Sequence, residues 1–271
     1  MSVTPNIPPL AVLGQKTIID MINDGRRLDG RDLSTYRELS VETGVIEKAN
    51  GSAMVNLGKT KVLVGVKIED GEPFPDTPAE GVLTVNAELV PLASPSFEAG
   101  PPNENAIELA RVVDRGIRES KAMQVKELCI KEGERVFVVY VDVYVLDHDG
   151  NLIDASAIAS LAALLTAKMF DYDYKDGKVN YKTKTKPLSI VNQPVAVTLA
   201  KIGDRIVVDP VLEEEQVMTA RLTVTSDKDG KLCAMQKGGI GELSPAEAKE
   251  AVRLALEKST DIRKRILEAV K

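Results

Sequence analysis

Between residues 154 and 170 the chain offers water almost nothing to hold. Only Asp154 and Lys168 are charged in that stretch, which is otherwise built mainly from Ala, Leu and Ile. A helix with a single apolar stripe can lie on a surface, but one that is apolar all round must be covered on several sides. A helix over 154–170 is therefore predicted to lie between layers, and the runs around it supply them. Residues 40–48, 51–57, 61–69, 82–90 and 135–146 read as strands, rich in β-branched residues and largely alternating. Beyond the helix, 195–200, 205–208, 221–226 and 232–236 read the same way. Blocks of strands, each followed by a helix, imply a layered α+β fold.

The punctuation fits that plan. Residues 1–14 read as an N-terminal arm, and a helix over 15–24 is stopped by Gly25. Gly58-Lys59-Thr60 has the size of a hairpin connection. Pro-rich loops cover 70–81 and 91–103 and lead to a helix over 104–123. Residues 172–187, rich in Lys, Asp and Tyr, show no clear period, so the boundary between a subdomain at 15–187 and a smaller one at 188–271 is placed there. Ser244-Pro245-Ala246-Glu247 opens the last helix with the spacing of a capping box.

Composition narrows the function. With 44% hydrophobic and 28% charged residues the chain is globular. A net charge of −6, 4% aromatics and no Trp argue against a free-standing nucleic-acid binder, yet they allow a local basic face. Cys129 and Cys233 form no CxxC pair and read as buried, reduced thiols. No apolar run is long enough to span a bilayer and no signal peptide is visible, so a cytoplasmic protein without membrane or DNA partners is expected. His148 is the lone histidine and sits in a turn, which leaves a histidine-based mechanism without support.

Three places could carry chemistry. On the helix over 104–123, Arg111, Arg115 and Arg118 share one stripe opposite Ala106, Leu109, Ala110, Val113 and Ile117. Three guanidiniums on one face suit phosphate recognition. The interspersed Glu104, Glu108, Asp114 and Glu119 suit equally a solvated face laced by i,i+4 pairs. The turn Asn151-Leu152-Ile153-Asp154 stands at a helix N-terminus, where anions bind, but Asp154 is expected to cap that helix itself and repel phosphate. Finally, Glu213, Glu214 and Glu215 offer carboxylates, and Arg221 stands where an opposing acid would complete a two-carboxylate site. The triplet reads either as part of a metal–phosphate site or as a solvated loop or helix start. No metal and no cofactor is expected.

Arg27-Leu28-Asp29-Gly30-Arg31 resembles the opening motif of RNase PH-like proteins. The run from Glu98 to Asn105 before the arginine-bearing helix, and Val141 to Gly150, resemble the RNase PH-like ring subunits of the archaeal exosome, in particular the non-catalytic kind. The resemblance covers residues 15–260. It implies an RNase PH-like fold: an N-terminal part like domain 2 of ribosomal protein S5, plus a smaller α/β C-terminal part.

Active members of that family degrade RNA from its 3′ end with phosphate as nucleophile. The resemblance places their phosphate loop at Asn151, Leu152, Ile153 and Asp154, here without its hydroxyl and Arg. It places their paired acids at Glu213, with Glu214 adjacent, and at Arg221. Both sites are thus expected to be degenerate, with no catalytic residues. The resemblance further implies a hexameric ring, a trimer of heterodimers with a catalytic RNase PH-like subunit. RNA-binding cap proteins and single-stranded RNA would be its other partners, the RNA held by Arg111, Arg115 and Arg118. The alternative is a phosphate-dependent 3′–5′ exoribonuclease active in its own right through the 213–215 cluster.

Overall fold

The computed structural model describes residues 12–271. Helix α1 (Val12–Asn23) comes first, so residues 12–14 of the expected arm are helical, while 1–11 lie outside the described residues. Gly25 closes the helix in the left-handed conformation (φ +79°), the usual role of a glycine just past a helix end.

A first sheet follows, from β1 (Leu39–Thr43), β2 (Gly51–Leu57), β3 (Thr60–Gly71) and β4 (Val82–Leu89). Helix α2 (Glu104–Glu119) then leads by a short 3-10 turn to β5 (Cys129–Lys131) and β6 (Arg135–Asp147). The order is β1-β2-β3-β6-β4, with β5 paired to β6; the pairing is antiparallel except between β4 and β6. Asn103 caps α2 by accepting from the Ala106 N–H at 3.0 Å. The helix stops at Glu119, four residues short of the expected end, because Ser120 and the left-handed Lys121 (φ 52°) turn the chain away.

Helix α3 (Leu152–Leu165) is also shorter than its composition suggested. The Thr166 hydroxyl donates to the carbonyls of Ala162 and Ala163. The chain then enters a hairpin, β7 (Lys168–Lys175) and β8 (Lys178–Pro187). The stretch read as lacking a period is this hairpin. Register shifts at Met169/Phe170 and Phe170/Tyr172 break the alternation that would have announced it. Its Tyr172 packs edge-on to Phe137, and the Tyr174 and Tyr181 hydroxyls donate to Glu134 and Asp70.

The second sheet has β9 (Val195–Ile202), β10 (Arg205–Val208), α4 (Leu212–Val217) crossing to β11 (Ala220–Ser226), and β12 (Leu232–Gly238). Its order is β10-β9-β11-β12, antiparallel throughout. Helix α5 (Pro245–Ala269) packs on β9 and β11, opened by the predicted Ser244–Glu247 capping box.

Helix α3 is the shared layer. It packs on β2 and β3 on one side and on β9 on another, and one continuous core joins both sheets through it. Ala155, Ala159, Ala162 and Ala163 have no exposed surface. Small side chains let β2 approach closely: a Cβ on Gly51 would lie 2.3 Å from the Ala163 carbonyl oxygen. Helix α1 packs on β9 and α4 with Ile18 and Ile22 against Ala200, Ile202 and Val217. The boundary read at 187/188 thus puts α1 with the first sheet by sequence, whereas in space it belongs with the second. Cys129 and Cys233, expected to be buried, are half-buried free thiols.

Candidate functional site

The loop from β6 to α3 turns sharply, with Gly150 at φ +85° and Asn151 at φ 53°. Only glycine fits at 150, where a Cβ would come within 2.6 Å of the backbone of Val211 and Leu212 at the start of α4. Arg37 staples this loop, donating to the Asp149 carbonyl at 2.7 Å and to both carboxylate oxygens of buried Asp209 at 2.8 and 3.0 Å. Burial pushes the Asp209 carboxyl up, but the hydrogen bonds and charge of Arg37 prevail and hold it below the usual range. Arg31 pairs with Asp209 at 2.9 Å. Arg27 grips Glu214 through two bonds of 2.8 and 2.5 Å and also donates to the Val208 and Asp209 carbonyls. The arginines of the Arg27–Arg31 motif thus lock the N-terminal segment onto the second sheet.

Asp154 does not do what its position suggested. It makes no cap for α3; it is fully buried and faces the seam between the helix and β9. Its carboxylate accepts from the Tyr36 hydroxyl, from Asn151 Nδ2 at 2.9 Å, and from the Thr198 N–H and hydroxyl at 2.9 and 2.7 Å. Burial raises its pKa to about 6, against the pull of those donors. Asn151 also donates through Nδ2 to Asp209 at 2.7 Å, so one amide bridges two buried carboxylates.

The glutamate triplet lies on α4, so successive side chains diverge by about 100°. Glu213 lines an open cleft with Arg31, Arg37 and Lys59. Glu214 points inward to Arg27. Glu215 alone reaches the α3 N-terminus, where its carboxylate accepts the Asn151 N–H at 2.9 Å. Glu215 lines a cavity of about 60 Å³ with Asn151, Leu152, Ile153, Phe97, His148, Glu108 and Arg221. Arg221 donates to Glu108 at 2.7 Å, and its Nε is buried without a partner. Burial lifts the Glu215 pKa to about 6, opposed by the Asn151 N–H and then by Arg221 and Arg37. Burial and the charge of Arg37 pull His148 down to about 4, so its ring, stacked on Phe97 at 5.2 Å, is neutral.

The structure therefore brings Arg221, Asn151, Leu152 and Ile153 together and leaves Glu213, Glu214 and Asp154 outside. Of the three glutamates, only Glu215 shares the cavity with Arg221, and sequence reasoning treated it as one of three. Helical phase within α4 is the signal that separates it. Glu108, which appeared only as a surface acid of α2, is the Arg221 partner.

The arginine stripe is uneven. Arg111 is exposed and, among the described residues, has no hydrogen-bond or ion-pair partner. Arg115 is half-buried and donates to Gln236 Oε1 at 2.8 Å. Arg118 is held by Asp114 in an i,i+4 pair at 2.7 Å and also reaches the Leu83 carbonyl. Its surroundings are those of the laced face.

Residues 35–169 match domain 1 of the 3′ exoribonuclease family, and residues 192–258 match its domain 2. The chain belongs to the 3′ exoribonuclease family. Within that family it is 52% identical to the exosome complex component Rrp42 of Thermococcus onnurineus, covering 96% of this chain and 97% of that one. It is 54% identical to the Rrp42 of Pyrococcus horikoshii, over 94% and 93% of the two chains.

Among solved structures, it resembles a chain of the Archaeoglobus fulgidus exosome with RNA bound to the active site, with a TM-score of 0.85 and 46% identity. That match covers 93% of this chain and 97% of that one. A chain of an archaeal exosome core aligns with a TM-score of 0.83 at 42% identity, covering 94% and 96%. Rice Rrp46, at 17% identity and a TM-score of 0.70 over 90% of this chain and all of that one, shares the fold. The α+β RNase PH-like fold expected from sequence is the fold of this family member.

Proposed function

We propose that this chain is a non-catalytic ring subunit of an archaeal exosome. In this reading it alternates with a catalytic RNase PH-like subunit as a trimer of heterodimers and works in the cytoplasm. RNA-binding cap proteins cover the ring, and single-stranded RNA passes along α2. Relatives named as exosome components, at about half identity over nearly the full length, support membership in such a complex. The subdomain boundary near 187/188, where the hairpin gives way to the second sheet, is part of the same reading.

One observation carries the non-catalytic part. At the N-terminus of α3 the place of an incoming anion is taken by the chain's own Glu215, and the group opposite is the cation Arg221. A fixed negative charge at the helix terminus repels a phosphate nucleophile, and the guanidinium opposite, already bound to Glu108, cannot take or give the proton that an acid there would handle. The RNA contact falls first to Arg111, which is exposed and unengaged among the described residues, then to Arg115, with Arg118 weakest. Such contacts reach the sugar–phosphate backbone and carry no base selectivity.

The test uses the full chain alone and mixed with a catalytic partner, each given labelled single-stranded RNA, phosphate and Mg²⁺. Nucleoside diphosphates are expected only from the mixture. Release by the isolated chain at a comparable rate would instead establish the alternative, an exoribonuclease in its own right.

A further inference from the structure

Strand β12 is an edge left open. It ends the second sheet, whose order is β10-β9-β11-β12, and among the described residues no strand pairs with its outer side. From Ala234 to Gly238 it pairs with β11 without a register shift, so its outer row of N–H and C=O groups can receive another strand. Folded proteins commonly guard such edges with proline or with charged side chains. Strand β12 has no proline, and its one charged residue, Lys237, turns its ammonium back onto the Gly239 carbonyl at 2.6 Å.

The side chains around this edge are apolar. Leu232, Met235 and Ile240 are 47%, 44% and 88% exposed, three large apolar groups within nine positions. A single exposed isoleucine is ordinary, whereas a cluster beside an open strand marks an interaction surface. Ile240 is also held in place. The Gly241 N–H donates to the Thr219 carbonyl at 2.7 Å. A Cβ at Gly239 (φ +79°) would come within 2.6 Å of that carbonyl oxygen, and one at Gly241 within 2.7 Å of the Thr219 Cβ. Glycines on both sides thus press the loop against the start of β11 and leave the isoleucine projecting from a fixed support. An apolar group displayed in this way has little freedom to lose on binding, which suits an interface anchor.

The neighbourhood indicates the occupant. An open row of backbone groups is met by an extended strand. Gln236 of β12 accepts from Arg115 of α2 at 2.8 Å, so whatever meets this edge stands beside the helix assigned above to the RNA path. We infer that β12 and Ile240 form the docking surface for the catalytic RNase PH-like subunit, which adds an edge strand of its own sheet to β12 and receives Ile240 in an apolar pocket. The inference rests on the ring reading and names the place on this chain where the partner seats.

The experiment is analytical ultracentrifugation of the full chain, alone and titrated with a catalytic RNase PH-like subunit. Ile240→Asp is expected to raise the dissociation constant roughly thirtyfold and Met235→Lys roughly tenfold, as for anchors at the centre of an interface. Phe74→Asp, at a side chain 56% exposed on the loop between β3 and β4, is the control and is expected to leave the constant unchanged. All three positions are exposed, and near-ultraviolet circular dichroism of each variant should match wild type. A wild-type chain that does not associate with the catalytic subunit sinks the ring reading, and this inference with it. Association that both β12-side variants leave intact overturns the inference alone, as does an equal loss in Phe74→Asp. Self-association of the isolated chain that disappears in Ile240→Asp would assign the surface to a second copy and overturn it as well.

Discussion

Arg27 and Glu214, 187 positions apart in the chain, form a two-pronged ion pair with no exposed surface on the guanidinium and almost none on the carboxylate. Around it, Glu214 also accepts the Val211 N–H at 2.9 Å, closing the start of α4. That closure fixes the phase of the helix. With Glu214 pinned inward, Glu213 faces the open cleft and Glu215 faces the α3 N-terminus. The pair therefore decides which of three adjacent glutamates enters the cavity, and it does so from a motif at the far end of the sequence.

Breaking that pair should be severe. Glu214→Ala leaves the Arg27 charge buried with carbonyls as its only partners, a loss of about 3–5 kcal/mol. Urea denaturation is expected to show a much lower midpoint for Glu214→Ala and for Arg27→Ala, with the double variant far from additive. Additive losses would mean that the two residues act separately.

Close backbone approach gives a second expectation. At Gly51 an added methyl meets the Ala163 carbonyl oxygen at 2.3 Å and the Ala167 Cα at 2.8 Å, both backbone atoms that cannot swing aside. Gly51→Ala is expected to cost about 1–3 kcal/mol through overpacking and to lower the melting temperature. Gly65→Ala on neighbouring β3, where a Cβ would meet nothing within 4 Å, serves as the control and should be far milder.

The pH dependence follows from Asp154 and Glu215. Burial raises both from ordinary values of 3.8 and 4.5 to about 6 in the folded chain. A carboxyl with a raised folded pKa holds its proton more tightly in the native state than in the unfolded one. Its contribution is complete below the unfolded pKa and is lost as pH rises through about 6. For Asp154 a shift of about two units corresponds to roughly 3 kcal/mol. Urea midpoints measured from pH 4 to pH 7 are expected to carry this downward component, and Asp154→Asn should flatten it. A component that survives unchanged in Asp154→Asn would mean that this carboxyl is ionised throughout the range.

Much of this architecture was readable in the chain, for reasons that particular elements make clear. Helix α3 declared itself as a buried layer because a helix flanked by two sheets leaves no polar stripe in its sequence. The Ser244–Glu247 box is local chemistry, so it fixed the start of α5 without help from the fold. The β7–β8 hairpin escaped because two register shifts destroy a period of two, and its docking depends on Phe137, Glu134 and Asp70 from other strands. Arg221 stood out as a cation where an acid was expected, but its partners did not. Glu108 lies 113 residues away in sequence, and the choice of Glu215 over Glu213 rests on the phase of a six-residue helix. Asp154 misled because sequence places a residue at a helix end without saying which way its side chain turns.

The arginine stripe yields the last expectation, and the structure orders its members. Arg111 has no internal bond to give up among the described residues, whereas Arg115 must leave Gln236 and Arg118 must leave Asp114 and the Leu83 carbonyl. In the assembled ring, Arg111→Ala is expected to weaken single-stranded RNA binding most, Arg115→Ala less, and Arg118→Ala least. A guanidinium that neutralises one phosphate of a single strand contributes about 0.7 to the slope of log affinity against log salt. Filter binding at several salt concentrations should therefore show that slope falling by about 0.7 for Arg111→Ala, with the loss similar across unrelated RNA sequences. Equal slopes for wild type and Arg111→Ala would remove α2 from the RNA path. A loss confined to certain sequences would assign the residue to base recognition instead.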